Sequence, residues 1–172
     1  SDGYNAYHEL GPPGKITHLA CWAHARRKFE HALNNDPSKA EKMLAWIRKL
    51  YDIERQAKEN ALSPEQIKEL RQIASVPVLT EIEEWLISQK PVVLPKSAIG
   101  VAVNYTLGLW VRLKKYVDDG HLQIDNNLVE NSIRPVALGR KNYLFAGSHD
   151  AAQRAAVVYS LLATCKLQNI EP

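Results

Sequence analysis

Cysteine is scarce in this sequence. Cys21 and Cys165 are the whole supply, and no second pair stands at metal-binding spacing. That excludes a disulfide framework and a structural zinc site of the paired-cysteine kind. Both thiols read as reduced side chains of a cytoplasmic protein. No apolar run approaches the roughly 20 residues that cross a bilayer, and no secretory leader is visible, so no membrane role is expected. Internal repeats and low-complexity segments are also missing. Acidic side chains are absent from two stretches, 10–29 and 131–149.

What is present is a 172-residue chain, 45% hydrophobic, with a formal net charge of +3. That length and composition suffice for one sizeable core or two small ones. The net charge is mild; its distribution says more. Between 36 and 90 acids and bases nearly balance, as on an ordinary solvated surface. The excess positive charge sits in the end blocks, with Lys15, Arg26, Arg27 and Lys28 in one and Arg134, Arg140 and Lys141 in the other. Such an arrangement suits a phosphate-facing surface.

The chain is organised around Ile124-Asp125-Asn126-Asn127-Leu128-Val129-Glu130-Asn131-Ser132-Ile133-Arg134-Pro135, with Gly139-Arg140-Lys141-Asn142-Tyr143-Leu144-Phe145 close behind. A short strand from His121 to Asp125 is expected first. Asn127 then reads as a helix N-cap, with Glu130 three residues on to close a capping box. Arg134 lies one turn further on the same face. Pro135 predicts a helix end or kink. A lone carboxylate beside a basic, amide-rich run suggests a metal ion next to a polyanion.

The run D-N-N-x-x-E-x-x-I-R-P-x-x-x-G-R-K-N-x-L-F resembles the C-terminal catalytic segment of bacterial DDE transposases of the insertion-sequence-sixty-six family. Two further blocks agree in the family's order: D-G-Y-x-x-Y at Asp2 to Tyr7, and C-W-A-H-A-R-R-K-F at Cys21 to Phe29. The three bracket almost the whole chain. The resemblance implies DNA cleavage and strand transfer at mobile-element ends, with terminal repeats and target DNA as partners and a homo-oligomer as the working assembly. It maps Asp2 onto the second catalytic Asp and Glu130 onto the Glu, both as metal ligands. The first Asp should precede Ser1, so the chain is expected to be a fragment that binds Mg²⁺ or Mn²⁺ properly, and acts, only within the full catalytic domain.

Read in order, Ile16 to Cys21 is expected as a buried strand and Trp22 to Asn34 as a helix with a basic, histidine-bearing stripe. A long amphipathic helix should run from Ser38 to about Ala61. Ser63-Pro64-Glu65-Gln66 is a helix start signal, followed by Ile67, Leu70 and Ile73 at helical spacing and an interruption at Pro77. Ser97 should cap a helix to about Val117, ended by Gly120 in a left-handed turn. Ser148 should cap the last helix, whose small residues Ala152, Ala155, Ala156, Tyr159 and Ala163 share a face. The expected fold is mostly α with a few short strands: the C-terminal fragment of a ribonuclease-H-like α/β domain with a helical insertion. Residues 1–35 would end the catalytic sheet and add the first helix, 36–117 would form the insertion, and 118–172 would carry the Glu.

Each candidate has a plain alternative. Glu130 could simply close a capping box with Asn127. Asp125 is a rival metal ligand, although a cap at the strand-helix junction is the preferred reading. Arg26, Arg27, Arg134, Arg140, Lys141 and Asn142 are the candidate DNA contacts, since cations neutralise phosphate and an amide can hydrogen-bond it; Arg134 could instead pair with Glu130. Cys21 and His24 are two ligands, which do not make a zinc site. Cys21 reads as buried, while the family block places His24 near the active site, against DNA or steadying a carboxylate. The four tryptophans read as core. Two other functions stay open: a non-catalytic DNA-binding or assembly module of a decayed transposase, or a ribonuclease-H-like nuclease.

Overall fold

A computed structural model describes residues 17–143 and 145–171. They fall into two compact units that meet in sequence between Asn126 and Asn127. The described residues are mostly helical and contain no strand.

The first unit is built on α1 (Trp22–Ala32) and α2 (Pro37–Glu59). In α1, Trp22, Ala25, Phe29 and Ala32 recur at helical spacing and are all buried. Asp36 caps α2 by accepting the Lys39 N–H at 3.1 Å, and Pro37 takes the first helical position, where no N–H is needed. Met43, Ile47 and Leu50 then face inward.

The Ser63 start signal is realised in α3 (Pro64–Leu70). Ser63 and Gln66 exchange side-chain-to-backbone hydrogen bonds in a complete capping box. A π-helical segment, Arg71–Ser75, carries the chain into α4 (Val76–Gln89). Pro77 therefore falls in the first turn of α4 rather than interrupting it. The wider π turn also changes the phase. Ile73, expected inward, is 78% exposed, while Arg71 and Ser75 are buried.

The single helix expected from Ser97 to Val117 is three pieces: α5 (Ala98–Gly108), α6 (Trp110–Lys114) and a 3₁₀ turn, Lys115–Asp118. Ser97 does cap α5, through the Gly100 N–H at 3.1 Å. Leu109 leaves helical geometry and donates to the Tyr105 and Thr106 carbonyls, closing α5. Trp110 restarts the helix with its ring edge-on to Trp22, 5.9 Å away, and Trp22 Nε1 donates to the Leu113 carbonyl at 3.0 Å. Trp46 packs edge-on against Trp85. The core gathers Trp22, Phe29, Met43, Ile47, Leu50, Ile82, Leu86 and Val103 from α1, α2, α4 and α5. At about 1.5–3 kcal/mol per buried large side chain, these contacts dominate the unit's stability.

Neither expected strand forms among the described residues. Residues 17–21 are irregular and 121–125 are turn and bend. Each is instead tied to the helical unit by one backbone bond: Ala20 N–H to Arg112 O, and Trp22 N–H to Ile124 O, both 3.2 Å. An extended run becomes a strand only with a laddered neighbour, and single bonds of this kind supply none. Gly120 does not take a left-handed conformation. Its role is close approach, because a Cβ there would lie 1.9 Å from the Pro64 carbonyl oxygen.

The second unit holds α7 (Asn127–Tyr143) and α8 (His149–Leu167). Ser148 caps α8 through the Ala151 N–H at 3.1 Å, after Gly147 turns the chain at φ +82°. Pro135 lies inside α7, which runs on for two further turns instead of ending.

Candidate functional site

Glu130 sits in the first turn of α7, partly buried. A carboxylate there is favoured by the helix dipole. Because α7 begins at Asn127, that residue is already helical rather than the expected cap before the helix. Arg134, Arg140, Lys141 and Asn142 are exposed along the same helix, with Arg140 and Lys141 in its last turn, where cations complement the dipole. The passage of α7 through Pro135 has a geometric consequence. At 3.6 residues per turn, Glu130, Arg134 and Lys141 share one face, in phase across three turns. No ion pair involving Arg134 is found among the described residues. Arg140 lies on a different face. With Ile133, Val136, Phe145 and the small-residue face of α8, it lines a groove of about 590 Å³.

The first unit assembles the other candidates. Cys21 is buried and His24 partly so, at the start of α1. Arg26 and Arg27 are exposed on that helix, and Arg26 Nε contacts the Glu30 carboxylate at 2.9 Å. Asp125 accepts a hydrogen bond from the Tyr51 hydroxyl at 2.9 Å. Burial pushes the Tyr51 hydroxyl far above its ordinary value, and the Asp125 carboxylate that holds its proton pushes it further. Tyr51 thus stays a neutral donor and Asp125 its acceptor. The Trp22–Ile124 backbone bond joins the C-W-A-H block to this stretch. Beside Asp125, the Asn126 Oδ1 is buried with no hydrogen-bond partner among the described residues.

Asp2 lies outside the described residues. Among the described residues, no three His, Cys, Asp or Glu side chains come together to hold a metal ion. Glu130 alone does not fit a divalent ion that needs further carboxylates. No helix among these residues is long and apolar enough to cross a membrane.

Sequence reasoning missed Tyr51 as the partner of Asp125, and it missed Arg71. The Arg71 guanidinium is 2% exposed and pairs with Glu54 at 2.6 Å. A signal existed for it: a lone arginine between Leu70 and Ile73, on a segment whose apolar stripe it would share once the helix widens. Nothing in local spacing marks Tyr51, whose partner lies 74 positions away.

The described residues are mostly helical, and the motif blocks agree with a family model of the transposase class. The chain belongs to the transposase IS66 family, whose model matches residues 1–154. Three proteins of Sinorhizobium fredii (strain NBRC 101917 / NGR234) are similar along nearly all of the chain. Uncharacterized protein y4jD is 36% identical over 179 residues, covering 99% of this chain. Uncharacterized protein y4hP is 33% identical over 189 residues, covering 100% of it. Uncharacterized protein y4qI is 33% identical over 181 residues, covering 99%. The chain spans about a third of the length of these curated relatives. No solved structure matches.

Proposed function

We propose that this chain is the C-terminal part of the catalytic region of a DDE transposase, acting in metal-dependent cleavage and joining of DNA at mobile-element ends. Supporting this reading is the unbroken α7, which presents Glu130 in phase with two cations, in a chain of the transposase IS66 family. On this reading residues 36–117 form a helical insertion in a ribonuclease-H-like domain, and the first catalytic Asp lies upstream. Asp2 and Glu130 are assigned as two of the metal-holding carboxylates, with Mg²⁺ or Mn²⁺ as the ion. When bound, such ions activate the attacking oxygen and stabilise the leaving one.

What the chain's own residues contribute is charge placement. Glu130 supplies one fixed negative group. Arg134 and Lys141 lie on its face of α7, at spacings that can follow a phosphate backbone and neutralise it. Arg26, Arg27, Arg140 and Asn142 are assigned as further DNA contacts. A dimer or larger assembly on paired DNA ends is the proposed working form.

The test is Glu130→Gln in the full-length protein, assayed for cleavage and joining of terminal-repeat DNA. A metal ligand predicts loss well beyond the roughly 10–100-fold caused by removing a group that only supports a ligand, with melting unchanged. Full cleavage by the variant refutes the assignment. Wild-type cleavage without joining points to a nuclease. DNA binding with neither cleavage nor metal uptake points to a non-catalytic assembly module.

A further inference from the structure

The loop that leads into the Asp125–Asn126 motif is held from below by one buried cation. Arg71 lies on the π-helical segment, and all five of its N–H donors are used. Nε and one terminal nitrogen grip the two Glu54 oxygens, at 2.8 and 2.6 Å. The remaining three donors go to backbone carbonyls of Tyr116 and Asp119, both at 2.8 Å, and of Leu122, at 2.9 Å. The guanidinium also stacks on the Tyr116 ring, 5.0 Å from its centre. Gln72, the next residue, donates to the Val117 carbonyl at 2.8 Å. Three carbonyls aimed at one guanidinium fix the course of the chain between 116 and 122.

Other contacts continue the same path. Gly120 rests on the Pro64 carbonyl with no room for a Cβ. Trp22 N–H holds the Ile124 carbonyl, and the Tyr51 hydroxyl holds Asp125. Helices α1, α2, α3 and the π segment therefore each grip the stretch from 116 to 125. At its end the Asn126 Oδ1 is buried with no hydrogen-bond partner among the described residues.

We infer that Arg71 is a positioning residue: clamped by Glu54, it makes the helical insertion a jig that sets the geometry of the Asp125–Asn126 motif. On the functional reading given above, on which this inference rests, Asp125–Asn126 leads in sequence directly into α7, whose first turn carries Glu130. A buried pair is weak grounds for stability alone, since apolar residues of equal volume often serve as well. Its fork geometry is what apolar residues lack, and lysine lacks it too: one ammonium cannot span two carboxylate oxygens and three carbonyls.

The experiment compares the wild-type full-length protein with Arg71→Lys. Three amides report on the clamped stretch: His121 and Leu122, which bond to Asp119, and Trp22, which bonds to Ile124. Hydrogen exchange at these three should quicken at least about tenfold, with the amides of α4 and the far end of α1 unchanged. In parallel, kcat for cleavage should fall about tenfold, with DNA affinity held. Exchange that stays slow at the three amides, or rises equally through the core helices, overturns the inference. So does selective loosening with kcat intact. If Arg71→Lys does not fold, Gly120→Ala displaces the same turn from the Pro64 side with the Arg71–Glu54 pair left in place, and the same readouts decide. A wild-type protein that cleaves no DNA sinks the functional reading, and the exchange comparison still decides whether Arg71 sets the motif.

Discussion

The two units solve opposite problems. The one ending at Asn126 buries Trp22, Phe29, Met43, Ile47, Leu50, Ile82 and Leu86 completely. In the one beginning at Asn127, no described residue is buried. Its apolar side chains Leu128, Val129, Ile133, Leu138, Val157, Leu161 and Leu167 are each more than half exposed. The residues richest in chemical meaning, Glu130, Arg134, Arg140 and Lys141, thus stand on the unit in which no described residue is buried, while the stretch that precedes them in sequence belongs to the unit with a core. The architecture separates stability from display. On the proposed reading, the side chains assigned to DNA stay out of the packing that holds the first unit.

The sharpest way to break that contrast is to cut one apolar side chain from each unit. Phe29→Ala should cost about 3–5 kcal/mol of unfolding free energy, since its ring is wholly enclosed. Ile133→Ala, on a side chain 54% exposed, should move the denaturation midpoint within the roughly 0.5 kcal/mol of an ordinary surface change. Equal losses in chemical denaturation of the chain would show that the second unit is as tightly packed as the first.

The parts that could be read from the sequence divide along the same line. In the first unit, caps and periodicity found the helix starts: Ser63 and Ser97 each cap a helix and the Trp22-to-Phe29 spacing faces the core, but the helix from Ser97 breaks at Leu109. Errors arose where a tertiary contact overrode a local rule. Pro77 is absorbed because it opens a helix after a π turn, and Gly120 serves close approach rather than a left-handed turn. Strands were expected at 16–21 and 121–125 from apolar composition, but pairing is not a local property. The motif residues were legible as a family signature, by type and order. Their geometry was not, since the in-phase face of Glu130, Arg134 and Lys141 depends on α7 passing through Pro135. Tyr51 was invisible because its partner lies far off in sequence, and Arg71 showed only as a lone arginine in an apolar stripe, its carbonyl partners being equally distant.

A smaller effect probes the seam where the stable unit meets the motif. Tyr51→Phe keeps the ring in place and removes one donor from Asp125. The loss should be about 1.5–3 kcal/mol, the range for a hydrogen bond to a charged group. The readout is chemical denaturation of the variant beside the wild-type chain. An unchanged midpoint would mean that Asp125 is not anchored by the phenol.

The smallest predicted effect concerns acid. Four carboxylates of the first unit are held below their ordinary values. For Asp36 the Lys39 ammonium is the main cause, and for Glu65 its own backbone N–H with the Ser63 hydroxyl. For Glu83, burial pushes upward, and Trp110 with Lys114 overcomes it. For Asp119 the cause is the His121 backbone N–H, joined by the imidazole. A carboxyl depressed by folding stabilises the native state above its ordinary value, 3.8 for Asp119. That contribution is lost as pH falls through the depressed value, because the unfolded chain takes up the proton first. The first unit should therefore weaken between about pH 5 and about pH 3, and Asp119→Asn should flatten a small part of that slope. Asp119 is exposed, so its share is the least of the effects considered, yet its position gives it meaning: it closes the turn whose carbonyls Arg71 grips. A denaturation midpoint that holds level or rises over that interval would show that these carboxylates do not stabilise the unit, and an unaltered slope in Asp119→Asn would release the turn from that role.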